Sequence, residues 1–251
     1  MLTEKQRARY ERQIILDEIG EEGQQRLASG KVLVIGAGGL GSVSALYMAA
    51  GGVGTIGIVD DQVVELSNLQ RQILHNTDRI GTLKTTSAKL TLSALNPDIS
   101  INTYNVRLDE ENATQIISGY DIVVSALDNQ ETRYVVNSAC VSLRKPLVEG
   151  AVRGFSGLLM TILPGKGPCY CCIFPKSSCD SYLTGLIGPI PVFTTTPGII
   201  GILQAQEVFK LLLKTGTPLV KEMLVYDGLT SSFYHQEVKR MPGCSCCGLL
   251  N

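Results

Sequence analysis

The stretch Lys31-Val32-Leu33-Val34-Ile35-Gly36-Ala37-Gly38-Gly39-Leu40-Gly41 decides the fold. Its first five residues, four of them aliphatic, read as a buried strand. The next six fit G-x-G-x-x-G and open a helix over Gly39–Gly51. Glycines at these positions let the backbone turn tightly and bring amide N–H groups of a helix N-terminus up to an anion. Asp60 closes a second apolar run, Ile56–Val59, 24 residues after Gly36, the place for a carboxylate that holds ribose hydroxyls. Gly36, Gly38, Gly39, Gly41 and Asp60 are therefore candidate nucleotide-binding residues.

Downstream the alternation continues. A helix over Lys84–Leu95, stopped by Asn96-Pro97, precedes a strand at Ile99–Tyr104. A helix near Glu110–Ser118, a strand at Asp121–Ser125, a helix over Thr132–Leu143 and a strand at Leu147–Val152 complete the series. Strands alternating with helices predict an α/β fold: a Rossmann-like, doubly wound, mainly parallel sheet with helices on both faces. After Gly154 the pattern changes. Gly157–Leu163, Met223–Tyr226 and Ser232–Val238 read as antiparallel strands, with one helix, Gly198–Lys214, among them. Upstream, residues 3–29 read as helical and amphipathic, with Ile14, Ile15, Leu16 and Ile19 as the apolar stripe. The expectation is one domain in three parts: a helical segment over 1–30, a nucleotide-binding core over 31–153, and an antiparallel extension over 154–251 that carries a crossover loop.

Composition narrows the function classes. The 251 residues carry 22 Lys plus Arg against 23 Asp plus Glu, a net charge of −1, so no basic excess supports nucleic acid as the main partner. Hydrophobic residues at 44% and charged residues at 18% exclude a disordered chain. The charged N-terminus shows no signal-peptide core, and the longest uncharged stretch, Ser181–Gln206, holds three prolines and makes a poor membrane span. A cytoplasmic protein with no membrane partner is expected.

The default ligand of the glycine loop is a dinucleotide, which makes an NAD-dependent oxidoreductase the alternative reading. Ser67-Asn68-Leu69-Gln70-Arg71-Gln72 and Lys84 argue for a triphosphate instead, because two cations and an amide suit the charge of a leaving pyrophosphate. Asp128-Asn129 follows the fourth strand on the side where ligands bind such sheets, and a carboxylate beside phosphates invites Mg²⁺.

Arg9-Tyr10-Glu11-Arg12-Gln13, Gly36–Gly41, Asp60, Ser67–Gln72, Lys84 and Asp128-Asn129 together resemble the ThiF/MoeB/HesA adenylyltransferases, relatives of the ubiquitin-activating enzymes. The resemblance spans nearly the whole chain, and the Ser67–Gln72 hexad is far more specific than the glycine loop. It implies ATP-dependent adenylation of the C-terminal Gly-Gly carboxylate of a small ubiquitin-like sulfur-carrier protein, with release of pyrophosphate. The thiamine and molybdopterin pathways use that chemistry, and adenylation of a peptide or small-molecule carboxylate is a further alternative. By resemblance, Asp60 holds the ribose, Asn68, Arg71 and Lys84 the phosphates, and Asp128 the Mg²⁺. Asn129 adjoins that site, and Arg133 helps to shape the same pocket. A homodimer is implied, with Arg12 reaching into the partner subunit's ATP site. The chain ends four residues after Cys247, so a separate protein is expected to donate sulfur.

Six of the eight cysteines fall in two clusters. Cys169 and Cys172 are spaced C-x-x-C, as are Cys244 and Cys247, and each pair sits beside a Pro/Gly turn. Four such thiolates suit tetrahedral zinc, with reduced core cysteines or a redox dithiol as the alternatives. Cys171 and Cys246 are extras without an assigned role. His75, His235 and Cys140 read as packing or surface residues. Many members of the resembled family place a cysteine about eleven residues ahead of the Gly198–Gly201 turn. Ile187 stands there in this chain, and the loop cysteine, Cys179, lies eight residues earlier. Adenylation needs no thiol, so no covalent carrier adduct is expected at Cys179.

Overall fold

The computed structural model describes residues 2–176 and 190–248. Its eight strands form one sheet in the order β3-β2-β1-β4-β5-β6-β7-β8. The strands are β1 (Lys31–Ile35), β2 (Thr55–Val59), β3 (Ser100–Tyr104), β4 (Ile122–Ser125), β5 (Leu147–Arg153), β6 (Ser156–Ile162), β7 (Glu222–Asp227) and β8 (Ser232–Glu237). Pairing is parallel from β3 through β5 and antiparallel from β5 through β8. The reversal falls at Gly154, whose φ of +58° suits a residue without a side chain.

Alternation along β1 sorts the core. Val32 and Val34 face one side with Ile56, Ile58 and Val124. That side is covered by α3 (Gly39–Gly51), α4 (Lys84–Leu95) and the long helix Thr196–Leu213. Leu33 and Ile35 face the other side with Val123, Leu147 and Met160. There α5 (Ala113–Ser118), α6 (Gln130–Ser142) and the short α7 (Tyr170–Ile173) cover them. A strand buried on both faces is what four aliphatic residues in a row require. The long helix is labelled α8. It starts two residues before the expected Gly198, with Pro197 in its first turn, where a missing N–H costs nothing.

The N-terminal expectation needs correction. The helical segment expected over residues 3–29 is divided into two helices, α1 (Glu4–Ile14) and α2 (Gly20–Ser29). The break runs through residues 15–19 to Gly20, whose φ is +59°. Ile15 is 65% exposed and Leu16 49% exposed, so the apolar cluster is no continuous buried stripe. Single buried anchors hold these helices instead. Tyr10 accepts a hydrogen bond from Asn96 Nδ2 at 2.8 Å, and Leu27 is fully buried.

Candidate active site and cysteine centre

The chain leaves β1 for β2 and β3 on one side, then returns to β4 on the other. The crevice of such a sheet therefore opens at the C-terminal ends of β1 and β4. The glycine loop fills that point. Gly36 has φ +98°, and a Cβ there would sit 2.6 Å from the Ala126 carbonyl oxygen at the end of β4. A Cβ on Gly41 would lie 1.8 Å from the Gly36 oxygen, so the first turn of α3 closes onto the loop only with glycine. Gly38 is the N-cap of α3 and has no side chain of its own to accept from the helix's first amides. Those donors are left for a ligand. Gly39 packs against Pro197: a Cβ on Gly39 would lie 3.0 Å from the proline ring, and this contact sets the start of α8 against the loop.

Asp60 follows β2 and is clamped to the loop. Its Oδ2 accepts the Ala37 N–H at 2.8 Å and its Oδ1 the Gln62 N–H at 2.9 Å. Each oxygen keeps a lone pair for a hydroxyl donor. Gln62 in turn accepts from Lys84 Nζ at 2.7 Å. Lys84 is 4% exposed, and among the described residues no carboxylate pairs with it. A buried ammonium held by one neutral amide is a site for an anion, since buried charges are ordinarily paired.

The hexad sits on a 3₁₀ turn, Leu66–Asn68, and its continuation. Asn68 is buried and its Oδ1 accepts the Glu65 N–H at 3.2 Å. Arg71 reaches back to the Ser67 carbonyl oxygen at 3.1 Å and packs its stem against the Gly39 position. It makes no ion pair to a described residue. Gln70 accepts from Thr194 Oγ1 at 2.9 Å, which ties the hexad to the segment entering α8.

Asp128 is exposed just beyond β4, two residues after the Ala126 carbonyl that abuts Gly36. Asn129 Oδ1 is committed to capping α6, accepting the Thr132 N–H at 2.9 Å. Arg133 is buried and paired with Glu149; it also donates to the carbonyls of Gly150 at 3.1 Å and of Leu127. It thus fixes the backbone one residue before Asp128 from below. Arg12, in the last turn of α1, is exposed and bonds to no described residue, while its neighbours Arg9, Tyr10 and Gln13 bind the molecule's own backbone and side chains.

His75, read from the sequence as a packing or surface residue, is a packing residue at the edge of the site. It is buried, with Nε2 at 2.9 Å from the Ala37 oxygen and Nδ1 at 2.8 Å from Ser87 Oγ. A carbonyl only accepts, so Nε2 carries the proton and Nδ1 accepts from the serine. Burial, aided by the charge of Lys84, lowers its pKa and keeps the ring neutral, against the opposing pull of the Ala37 bond and Asp60. A histidine just past the hexad carried no signal by itself; its partners lie 38 and 12 positions away.

On the α6–α7 side of the sheet, Cys169, Cys172, Cys244 and Cys247 bring their sulfurs within 4.8 Å of one another. The Cys169–Cys172, Cys169–Cys244 and Cys172–Cys247 separations are 3.9, 3.7 and 3.4 Å. Sulfurs about 2.3 Å from a tetrahedral zinc stand about 3.8 Å apart, so the quartet fits that ion. Hydrogen bonds from Cys171 and then Cys246 lower the Cys169 pKa, whereas burial raises those of Cys172 and Cys247. Cys140 is buried within α6, as expected of a core residue. Cys179 and Ile187 lie outside the described residues.

A glycine loop, a carboxylate clamped to it and two cations without a carboxylate partner among the described residues, set at a topological switch point, are the features of a nucleotide-binding α/β protein. The chain belongs to the ThiF family, whose family model matches residues 10–246. It is 44% identical over 251 residues to the sulfur carrier protein adenylyltransferase of Thermus thermophilus, covering 98% of this chain and 92% of that one. It is 43% identical over 245 residues to the SAMP-activating enzyme E1 of Haloferax volcanii, covering 96% and 88%. The adenylyltransferase and sulfurtransferase MOCS3 of Anopheles gambiae is 43% identical over 241 residues, and there the match spans 54% of the longer protein. Among solved structures, E. coli MccB with AMPCPP and MccA superposes with a TM-score of 0.84 at 26% identity, over 96% of this chain and 74% of that one. Among the described residues no helix is long and apolar enough to cross a membrane.

Proposed function

We propose that this chain is an adenylyltransferase that uses ATP to activate the C-terminal Gly-Gly carboxylate of a small ubiquitin-like sulfur-carrier protein, for sulfur incorporation in cofactor biosynthesis. The observation that carries the reading is the buried Lys84 beside the glycine loop, paired with no carboxylate among the described residues, in a ThiF-family chain. A dinucleotide's diphosphate keeps a constant charge that helix amides can meet, whereas a departing pyrophosphate gains charge that a cation stabilises.

In the reaction a carboxylate oxygen of the carrier attacks the α-phosphorus of ATP. The bond from that phosphorus to the bridging oxygen breaks, pyrophosphate leaves with the electron pair, and an acyl-adenylate remains. No protein nucleophile takes part. Asp60 positions the ribose, and the free amides of α3 meet phosphate oxygens. Asn68, Arg71 and Lys84 neutralise the charge that grows on the leaving group. Magnesium, when bound, supplies further charge neutralisation on the phosphates, and the exposed Asp128 is the residue that would hold it. Asn129 and Arg133 hold the Asp128 turn in place.

The active form is read as a homodimer in which Arg12 of one protomer serves the ATP site of its partner. Its exposure, and the inward engagement of its neighbours, support that role. A separate protein donates the sulfur. The quartet Cys169, Cys172, Cys244 and Cys247 binds a structural zinc that ties α7 to the C-terminal segment.

The test is exchange of labelled pyrophosphate into ATP by the purified chain. Exchange that appears only when a Gly-Gly carrier is added supports the reading. Exchange without any carrier, or tight NAD binding with no exchange, overturns it.

A further inference from the structure

The two cysteine clusters share one pattern, C-x-C-C, at Cys169-Tyr170-Cys171-Cys172 and Cys244-Ser245-Cys246-Cys247. The zinc-type quartet takes the first and last cysteine of each and leaves Cys171 and Cys246. These two meet. With Cys169 they bring three sulfurs within 4.8 Å of one another. Three sulfurs bound about 2.3 Å from a single ion in their plane stand about 4 Å apart, so the triad needs little adjustment to converge on one.

Asn137 decides what kind of ion suits it. Its Nδ2 lies 3.4 Å from Cys171 Sγ and 3.1 Å from Cys246 Sγ, and its Oδ1 accepts the Tyr170 N–H at 2.9 Å. The backbone donor fixes which end of the amide faces the sulfurs. Asn137 therefore presents N–H groups to the triad and cannot become a fourth ligand. Donors aimed at ligand sulfurs are the usual outer partners of metal-bound thiolates. Among the described residues no histidine or carboxylate joins these three sulfurs. Thiolates suit soft metals, copper(I) among them, and a three-sulfur set with no fourth protein ligand falls short of the four that structural zinc takes.

We propose that Cys169, Cys171 and Cys246 form a second, three-sulfur site for a soft monovalent cation of the copper(I) class, with Cys169 shared between it and the zinc-type quartet. The proposal rests on the reading of the quartet as the zinc site. Cys171 is buried and Cys246 half-buried against Ser138 of α6, so the ion sits between α6, α7 and the C-terminal segment.

The test titrates the zinc-loaded full chain with copper(I), supplied anaerobically as its acetonitrile complex in competition with bicinchoninate and with a phosphine reductant present. The expected result is one copper per chain with zinc retained, three sulfur neighbours by copper X-ray absorption, and loss of that copper in both Cys171→Ser and Cys246→Ser while zinc stays. If the buried Cys171→Ser fails to fold, the half-exposed Cys246→Ser decides. Copper that expels zinc one for one, copper retained by Cys246→Ser, no copper bound by the wild type, or a Cys171–Cys246 disulfide persisting under the reductant each overturns the proposal. A chain that takes no zinc yet holds one copper through Cys171 and Cys246 sinks the quartet reading and leaves this site standing.

Discussion

His75 Nε2 stands 2.9 Å from the carbonyl oxygen of Ala37, the second residue of the glycine loop. The same loop residue gives its N–H to Asp60, so the peptide units on both sides of Ala37 are held by side chains from beyond β2. The loop proposed to receive phosphate is thus held by the protein's own side chains, which spares the reorganisation that a floppy loop would undergo on binding.

That bond gives a pH prediction. The His75 pKa in the folded chain is below its ordinary value of about 6.5, with burial as the first cause. Well above pH 6.5, by about a unit or more, the ring is neutral in both states and adds no pH dependence. As pH falls below that value the unfolded chain takes up a proton that the folded chain resists, so stability declines until the lower folded pKa is passed. The other histidine, His235, is exposed. Thermal unfolding followed from pH 7.5 to 5 should show this loss in the wild type and a flatter profile in His75→Gln. Equal slopes in the two proteins would remove His75 as its source.

Lys84→Met should separate function from stability. Removing the cation should lower carrier-dependent pyrophosphate exchange by about 10²–10³-fold, the range for losing one charge-stabilising group. Replacing a buried ammonium held by one amide with an apolar chain of similar length should leave the melting temperature unchanged or raise it. A large fall in melting temperature would mean that Lys84 is a structural group. Arg71→Ala should lower exchange to a similar degree with little effect on melting, because its stem is only partly buried.

The parts of this architecture written locally were legible in the sequence. Four aliphatic residues before a glycine loop gave β1 its place, and period and breakers gave the later strands. The junction at residues 15–19 was not legible, because apolar residues there mimic a helical stripe that packing never buries. The four-residue helix α7 is too short for any periodicity to show. In the site, residue types and spacing marked Asp60, Lys84 and Asp128. The supports were hidden because their partners are distant in sequence or backbone atoms: His75 with Ala37, and Arg133 with Glu149, Gly150 and Leu127. Asn129 was marked for the ligand, and its side-chain oxygen caps α6.

Arg12 offers a test of shared sites. On its own chain it meets no described partner, although Tyr10 and Gln13 on either side of it bond inward to Asn96, Gln24 and the Gly51 carbonyl. Arg12→Ala and Asp128→Ala subunits should each be inactive as homodimers. After subunit exchange, one of the two sites in a mixed dimer holds both wild-type residues, and exchange activity should recover to at most about a quarter of the wild-type level at equal mixing. Mixed dimers confirmed by mass that remain inactive would count against Arg12 acting across the dimer.

The cysteine quartet should respond to substitution as a structural metal site does. Cys169 and Cys172 lie at the short helix α7, while Cys244 and Cys247 lie in C-terminal turns, with 71 residues between Cys172 and Cys244. Closing a loop of that length removes on the order of 4–5 kcal/mol of unfolded-chain entropy if it behaves as a disulfide cross-link would. The net effect should be smaller here, because β7, inside that loop, is already held in the sheet by its pairing with β6. Cys172→Ser and Cys247→Ser should therefore lose zinc and lower the melting temperature while leaving a folded protein. Cys140→Ala, which removes a sulfur from the α6 core, should retain one zinc per chain. Metal analysis of freshly purified, unchelated protein measures both. Zinc absent from the wild type, or retained in full by Cys172→Ser and Cys247→Ser, would end the assignment.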